Sequence, residues 1–374
     1  MAQRSPRVLA WTPTFVPRRA LAWLTVVLAA GGSAALGQGT GVGEACSLSG
    51  QQSFSAGDEQ TMRQRIDAGV EGLSSSTPAD ASRAREQLME PLLCPGVTVA
   101  FRLKYGDLLE PALSPLASGR DDRVAVNALF VLAHLKTSNA AGPLTRGLAS
   151  ERAPVRFGAA AGIRALLGLI AADDAGFADA AVDRLLDDTG AALAKEADPI
   201  VAEGLVLALG DGPKAGMALR ARAMRRLTSG LTARLVALRA TPPATQAEWS
   251  STLLRAFDLA RQSLFEQAAS GADREFARSA ALMSGQLFAY ARDVLARSGE
   301  ADANLGATVA AAEGLSVIAH STLTGQQLAE GNLRGAFEAG ADRFRSAVEP
   351  WIGAQGALLK QPYGAAAGDF APRP

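Results

Sequence analysis

Residues able to do chemistry are few and scattered along the 374-residue chain. Its only histidines are His134 and His320, too far apart in sequence for the paired spacing of a histidine metal site, and neither has a second histidine one helical turn away. His134 stands between Leu132 and Leu135 at the expected end of a helix, where a capping or solvent-reaching role is the plain expectation. Gly314-Leu315-Ser316-Val317-Ile318 starts like a nucleophile elbow but lacks its closing glycine and a preceding strand. No lysine follows a serine by three positions, which removes the Ser-x-x-Lys arrangement. Gly210-Asp211-Gly212-Pro213-Lys214 is glycine-rich, yet its lysine has neither the preceding glycine nor the following hydroxyl of a phosphate loop, so it reads as a turn. The GQGTGVG stretch at 37–43 is not set in a βαβ unit and points to no nucleotide. Paired acids at Asp173-Asp174 and Asp187-Asp188 do not form an Asp-x-Asp-x-Asp loop and read as solvated helix ends. Neither a catalytic constellation nor a cofactor or metal motif is legible.

Charge patterning offers more. Between Asp173 and Glu203 the chain carries nine acids and two bases; between Lys214 and Arg239 it carries seven bases and no acid. Arg222, Arg225 and Arg226 lie opposite the apolar side of their helix, formed by Met217, Ala221, Met224 and Leu231, and therefore face outward. Two readings follow. The basic helix and the acidic one neutralise each other, each exposed pair being worth about 0–1 kcal/mol. Alternatively, the three arginines form a basic face for an acidic partner, an anionic envelope polymer or lipid head groups. Aromatic residues that would stack bases are missing from the stretch, so nucleic acid is the least supported ligand.

The N-terminus predicts the compartment. The first 37 residues hold four arginines and no acid, then the apolar run Ala20–Ala30 and small residues up to Gly37. This is the order of a secretory signal peptide, with cleavage expected after Gly37. A spanning helix needs roughly 20 apolar residues and Gly31-Gly32-Ser33 interrupts this run early, so a retained membrane anchor is the alternative. Arg18-Arg19 is not followed by the residues of a twin-arginine signal. The mature chain is expected in the periplasm or outside the cell. There, two cysteines favour one disulfide, Cys46–Cys94, over lipid attachment at Cys46, whose approach contains Glu44.

These residues must be carried by helices. Hydrophobic residues are 48% of the chain but aromatics only 5%, so alanine, leucine and valine dominate and composition leans to helix. Val124, Ala128, Leu132 and Leu135 fall at helical offsets, and Val155, Ala159, Ile163 and Leu166 repeat them. After Thr241-Pro242-Pro243, where neither proline suits a continuing helix, two stripes follow. One is Leu253, Phe257, Ala260 and Leu264; the other runs from Phe276 through Ala280, Met283, Leu287 and Tyr290 to Val294. A break at Ser270-Gly271 predicts that they form a helical hairpin, with further helices near 303–321 and 326–348. The expected organisation is a signal peptide (1–37), a flexible lead-in (38–57), a helical array (58–240), an α-helical C-terminal domain (244–349) and a disordered tail (362–374).

Matching boundaries, Leu116-Ala117-Ser118, Leu148-Ala149-Ser150 and Leu193-Ala194-Lys195, mark an internal repeat. The stretch Ala153-Pro154-Val155-Arg156-Phe157-Gly158-Ala159-Ala160 resembles the turn-proline, valine-arginine and double-alanine pattern of HEAT repeats. Asp198-Pro199-Ile200-Val201 matches the Asp-Pro entry without the arginine, and Asp121-Asp122-Arg123-Val124 lacks the proline. The resemblance spans about residues 97–209. It implies an all-α fold, a HEAT-like α-solenoid of stacked helical hairpins, acting as a non-enzymatic scaffold or protein-binding module. The enzymatic alternative is an all-helical envelope enzyme using dispersed acids such as Asp183, Asp187 and Asp188.

Overall fold

The computed structural model describes residues 46–171, 177–212, 217–240, 246–268, 273–300, 302–328, 331–366 and 368–373. The signal segment, Asp173-Asp174 and Thr241-Pro242-Pro243 lie outside the described residues. Those described form an all-α fold of fourteen α-helices with no strand among them. In chain order these are α1 (Ala56–Leu73), α2 (Pro78–Met89), α3 (Val99–Ala117), α4 (Asp122–Ala133), α5 (Ala141–Leu148), α6 (Ala153–Ala171), α7 (Asp179–Lys195), α8 (Pro199–Asp211), α9 (Met217–Leu238), α10 (Gln246–Ala268), α11 (Arg274–Ser298), α12 (Ala303–Thr324), α13 (Leu333–Glu338) and α14 (Ala341–Ile352).

Helix starts follow local side-chain chemistry. The first turn of a helix has N–H groups without intrahelical acceptors, and a short polar side chain just before it supplies one. Asp121 accepts from the backbone N–H of Arg123 and Val124, Asp198 from Ile200 and Val201, Asp273 from Glu275 and Phe276, and Asp302 from Leu305. Ser55 and Asp58 form a reciprocal capping box at α1. Pro78 and Pro199 occupy first-turn positions, where a missing N–H costs nothing.

Both stripes read from the sequence are buried: Val124, Ala128, Leu132 and Leu135 in and just after α4, and Val155, Ala159, Ile163 and Leu166 in α6. They pack in two series. The even helices stack α2 on α4, α4 on α6, α6 on α8, α8 on α10 and α10 on α12; the odd helices stack α5 on α7, α7 on α9 and α9 on α11, and α14 then packs on α11. Within pairs, α1 packs on α2, α3 on α4, α5 on α6 and α11 on α12. From α1 to α10 each helix thus meets the helix two further along, an order compatible with a helical solenoid. Arginines tie neighbouring turns together. Arg123 donates to the carbonyls of Ser75 and Ser76 in the α1–α2 turn, and Arg152 to that of Arg120 in the α3–α4 turn. Arg156 grips Glu196 of the α7–α8 turn with two hydrogen bonds of 2.8 and 2.9 Å.

Several expectations are corrected. Helices α10 and α11 do not form the main hairpin across Ser270-Gly271; α10 packs chiefly on α12, and α11 on α9 and α12. The expected boundary between 240 and 244 separates no compact units, since residues 45–374 cluster as one and α8–α10 and α9–α11 contacts bridge it. The helix expected over 326–348 is two helices, α13 and α14, divided at Gly340, whose φ of 107° suits glycine. Part of the expected flexible lead-in is tied down. Thr98 donates its backbone N–H to the Ser49 carbonyl at 2.9 Å and its hydroxyl to that of Gln51 at 2.6 Å. Finally, the tail 362–374 is not a loose end over its described residues, because Tyr363 and Phe370 are buried against the helices.

Candidate functional site

The arginines expected to form an open basic face are engaged in ion pairs. Arg222 on α9 pairs with Asp179 at 3.3 Å and Asp183 at 3.1 Å on α7; Arg226 pairs with Asp187. Arg225 pairs with Asp273 at 2.6 Å and Glu275 at 3.3 Å at the start of α11. Of the two readings of Arg222, Arg225 and Arg226, these pairs agree with charge neutralisation and not with an open partner-binding face. Helix α9 packs on both α7 and α11, so its arginines meet acids on both sides, along α7 and at the start of α11. The dispersed acids are used in the same way, with Asp188 accepting from the Thr145 hydroxyl at 3.3 Å.

Cys46 and Cys94 are joined by a disulfide across 48 residues, which ties the segment before α1 to the loop entering α3. His134 is the C-cap residue of α4; its Nδ1 lies 2.8 Å from the Phe130 carbonyl. Burial pushes its imidazole below the ordinary range, against the raising influence of that carbonyl. His320 on α12 places Nδ1 2.6 Å from the Tyr363 hydroxyl. Burial lowers His320 and pushes the Tyr363 phenol up to about 12. Neither histidine has a carboxylate among its hydrogen-bond partners, and among the described residues no three His, Cys, Asp or Glu side chains are grouped to hold a metal.

A cleft of about 330 Å³ opens between neighbouring helix pairs, where the ends of α3 and α5 meet the start of α6. Ser114, Ser118, Arg146, Ser150, Glu151 and Arg152 supply its polar lining. The Ser114 hydroxyl donates to Glu110 at 2.6 Å and Arg146 donates to Ser114 at 3.2 Å; Arg152 is held by Asp122 at 2.6 Å. These groups can orient a polar ligand by hydrogen bonds. The Ser114 hydroxyl is held between Glu110 and Arg146 at the wall of this cleft.

The most densely bonded polar cluster lies elsewhere and was not read from the sequence. Arg239 and Asp293, both 1% exposed, pair at 2.8 Å between the end of α9 and α11. Arg292 pairs with the other Asp293 oxygen at 3.0 Å, and the Gln286 side-chain oxygen accepts from Arg239 at 3.2 Å. Burial pulls the Arg239 guanidinium down and its bond to Asp293 draws it back up. Beyond this pair the guanidiniums turn to main-chain carbonyls of the C-terminal segment, at Asp369 (2.8 Å), Phe370 (2.8 Å) and Ala371. A sequence signal did exist: Gln286, Tyr290, Asp293 and Arg297 fall at i, i+4, i+7 and i+11 on one side of α11, a polar stripe inside an apolar helix. No family model matches the chain, and no curated protein matches it.

Proposed function

We propose that the chain is an exported, non-enzymatic scaffold of the HEAT-repeat type that binds a partner protein across its stacked helices in the periplasm or outside the cell. The observation that carries this reading is the packing of every second helix on its predecessor in two parallel series. An array built by nearest neighbours gains length without a central core and so presents extended faces. The Asp-capped and proline-led entries of α4, α6 and α8, together with the arginines linking successive turns, support the repeat type. Export rests on the N-terminal segment and agrees with a disulfide between the only two cysteines.

The enzymatic and membrane-surface alternatives draw less from the geometry. Asp183 and Asp187 pair with Arg222 and Arg226, Asp188 bonds to Thr145, and Arg225 pairs with Asp273 and Glu275. Affinity capture from an envelope fraction, with heat-denatured chain as control, tests the proposal. A saturable protein partner recovered in repeated captures is the expected outcome; recovery of background alone overturns it.

A further inference from the structure

After α14 the chain runs through a short 3-10 turn at Ala357–Leu359 and then without helix to Arg373. This segment lies along α11 and the end of α9. It is held largely by side chains donating to its main-chain carbonyls. Arg278 donates to the Tyr363 carbonyl at 2.7 Å, Gln286 to that of Asp369 at 3.1 Å, Arg292 to that of Phe370 and Arg239 to those of Asp369 and Ala371. Four side chains from two helices thus read the main chain of an irregular peptide. Main-chain carbonyls are common to every polypeptide, so such donors recognise a path more than a sequence.

Sequence is set by three buried anchors, two of them aromatic. Phe370 and Leu358 fill the space left by Gly285, where a Cβ would stand 2.8 Å from the Phe370 ring and 2.5 Å from Leu358. Tyr363 reaches the His320 imidazole at 2.6 Å. Between and beside the anchors the segment is open: Gly364, Ala366, Gly368, Asp369, Ala371 and Pro372 are exposed. Arg239 and Arg292 do not depend on the segment for their placement, because Asp293 holds both. A charge pair this buried is costly to build for packing alone; it serves well as a fixed reader of carbonyls.

We propose that this face of α9 and α11 is a receptor for a turn-forming polypeptide segment, and that residues 358–373, which bond back on themselves through turns such as Ala365 N–H to the Leu358 carbonyl, occupy it as an exchangeable ligand in cis. A partner segment with two aromatic anchors at the same spacing displaces them; this last clause rests on reading the chain as a protein-binding scaffold. Occupation in cis reduces the competent fraction, and the apparent affinity for a second peptide falls with it.

The test uses the full chain and a fluorescent synthetic peptide of residues 358–374. With Tyr363→Ala and Phe370→Ala together in the chain, the peptide should bind about tenfold or more tightly than to the wild type, and the same peptide carrying Phe370→Ala should lose that gain. A variant of unchanged helical circular dichroism that binds the peptide no better than the wild type overturns the proposal. Should the variant lose helicity, hydrogen exchange on the wild type decides: amides of 358–373 are expected to exchange about 100-fold or more faster than those of α9 and α11, and equal protection overturns the proposal. Peptide binding with no partner captured from the envelope would leave the receptor standing and count against the scaffold reading alone.

Discussion

Charged side chains of the same two types behave differently here according to where the helices put them. Arg226 and Asp187 meet at the surface, with side chains about half exposed, and water screens most of their attraction. Arg239 and Asp293 meet where no water reaches, and removing one partner strands the other charge. Asp293→Ala should therefore cost about 3 kcal/mol or more in urea unfolding, while Arg226→Ala should cost less than about 1 kcal/mol. Equal losses at the two positions would contradict this account. The histidines give a pH dependence of definite sign. Both are pushed below their ordinary value of 6.5 by burial, so below that pH the unfolded chain binds more protons than the folded one. Stability is then complete above about pH 6.5 and declines as pH falls beneath it. Thermal melts stepped from pH 7.5 to 5.5 should show this decline, and His320→Gln should flatten its share.

At the scale of the element, much of the helical pattern was legible and its pairing was not. Apolar offsets located α4 and α6, because a helix repeats its buried side every three or four residues whatever it packs against. Which helices touch depends on how the array stacks, so Ser270-Gly271 looked like a hairpin turn although α10 packs chiefly on α12, and α11 on α9 and α12. The tail misled for another reason. Ala, Gly and Pro carry little drive to bury, and the groups that hold the segment, Arg239 and Gln286, lie some 80–130 residues earlier. Its two aromatics were the only local hint. Close approaches between helices are likewise visible only in three dimensions. Gly230 on α9 crosses Gly190 on α7 so closely that a Cβ at 230 would stand 2.6 Å from the Gly190 carbonyl oxygen. Glycine to alanine inside a helix ordinarily gains up to about 1 kcal/mol. Main chain cannot swing aside as a side-chain tip can, so Gly230→Ala should instead destabilise by about 1–3 kcal/mol, read as a lower denaturation midpoint. A rise would show that α7 and α9 are less tightly apposed.

For the whole molecule, contacts between helices two apart make a testable claim about how disturbances spread. A single globular core passes a local loss of stability to every element, whereas an array of neighbours confines it near its origin. The disulfide provides the probe, since it joins residues 48 apart at one end of the chain. In the chain-entropy picture a loop of that size contributes about 4 kcal/mol. Replacing both cysteines by serine should raise amide exchange across α1 to α3 by about tenfold or more, because Thr98, Ser49 and the Phe54–Phe101 contact lose their covalent frame. Exchange in α10 to α12 should stay at its wild-type level, seven helices away. If those distant helices loosened in step with the first three, the described residues would behave as one cooperative core, and the nearest-neighbour packing would have to be abandoned as the basis of the scaffold reading.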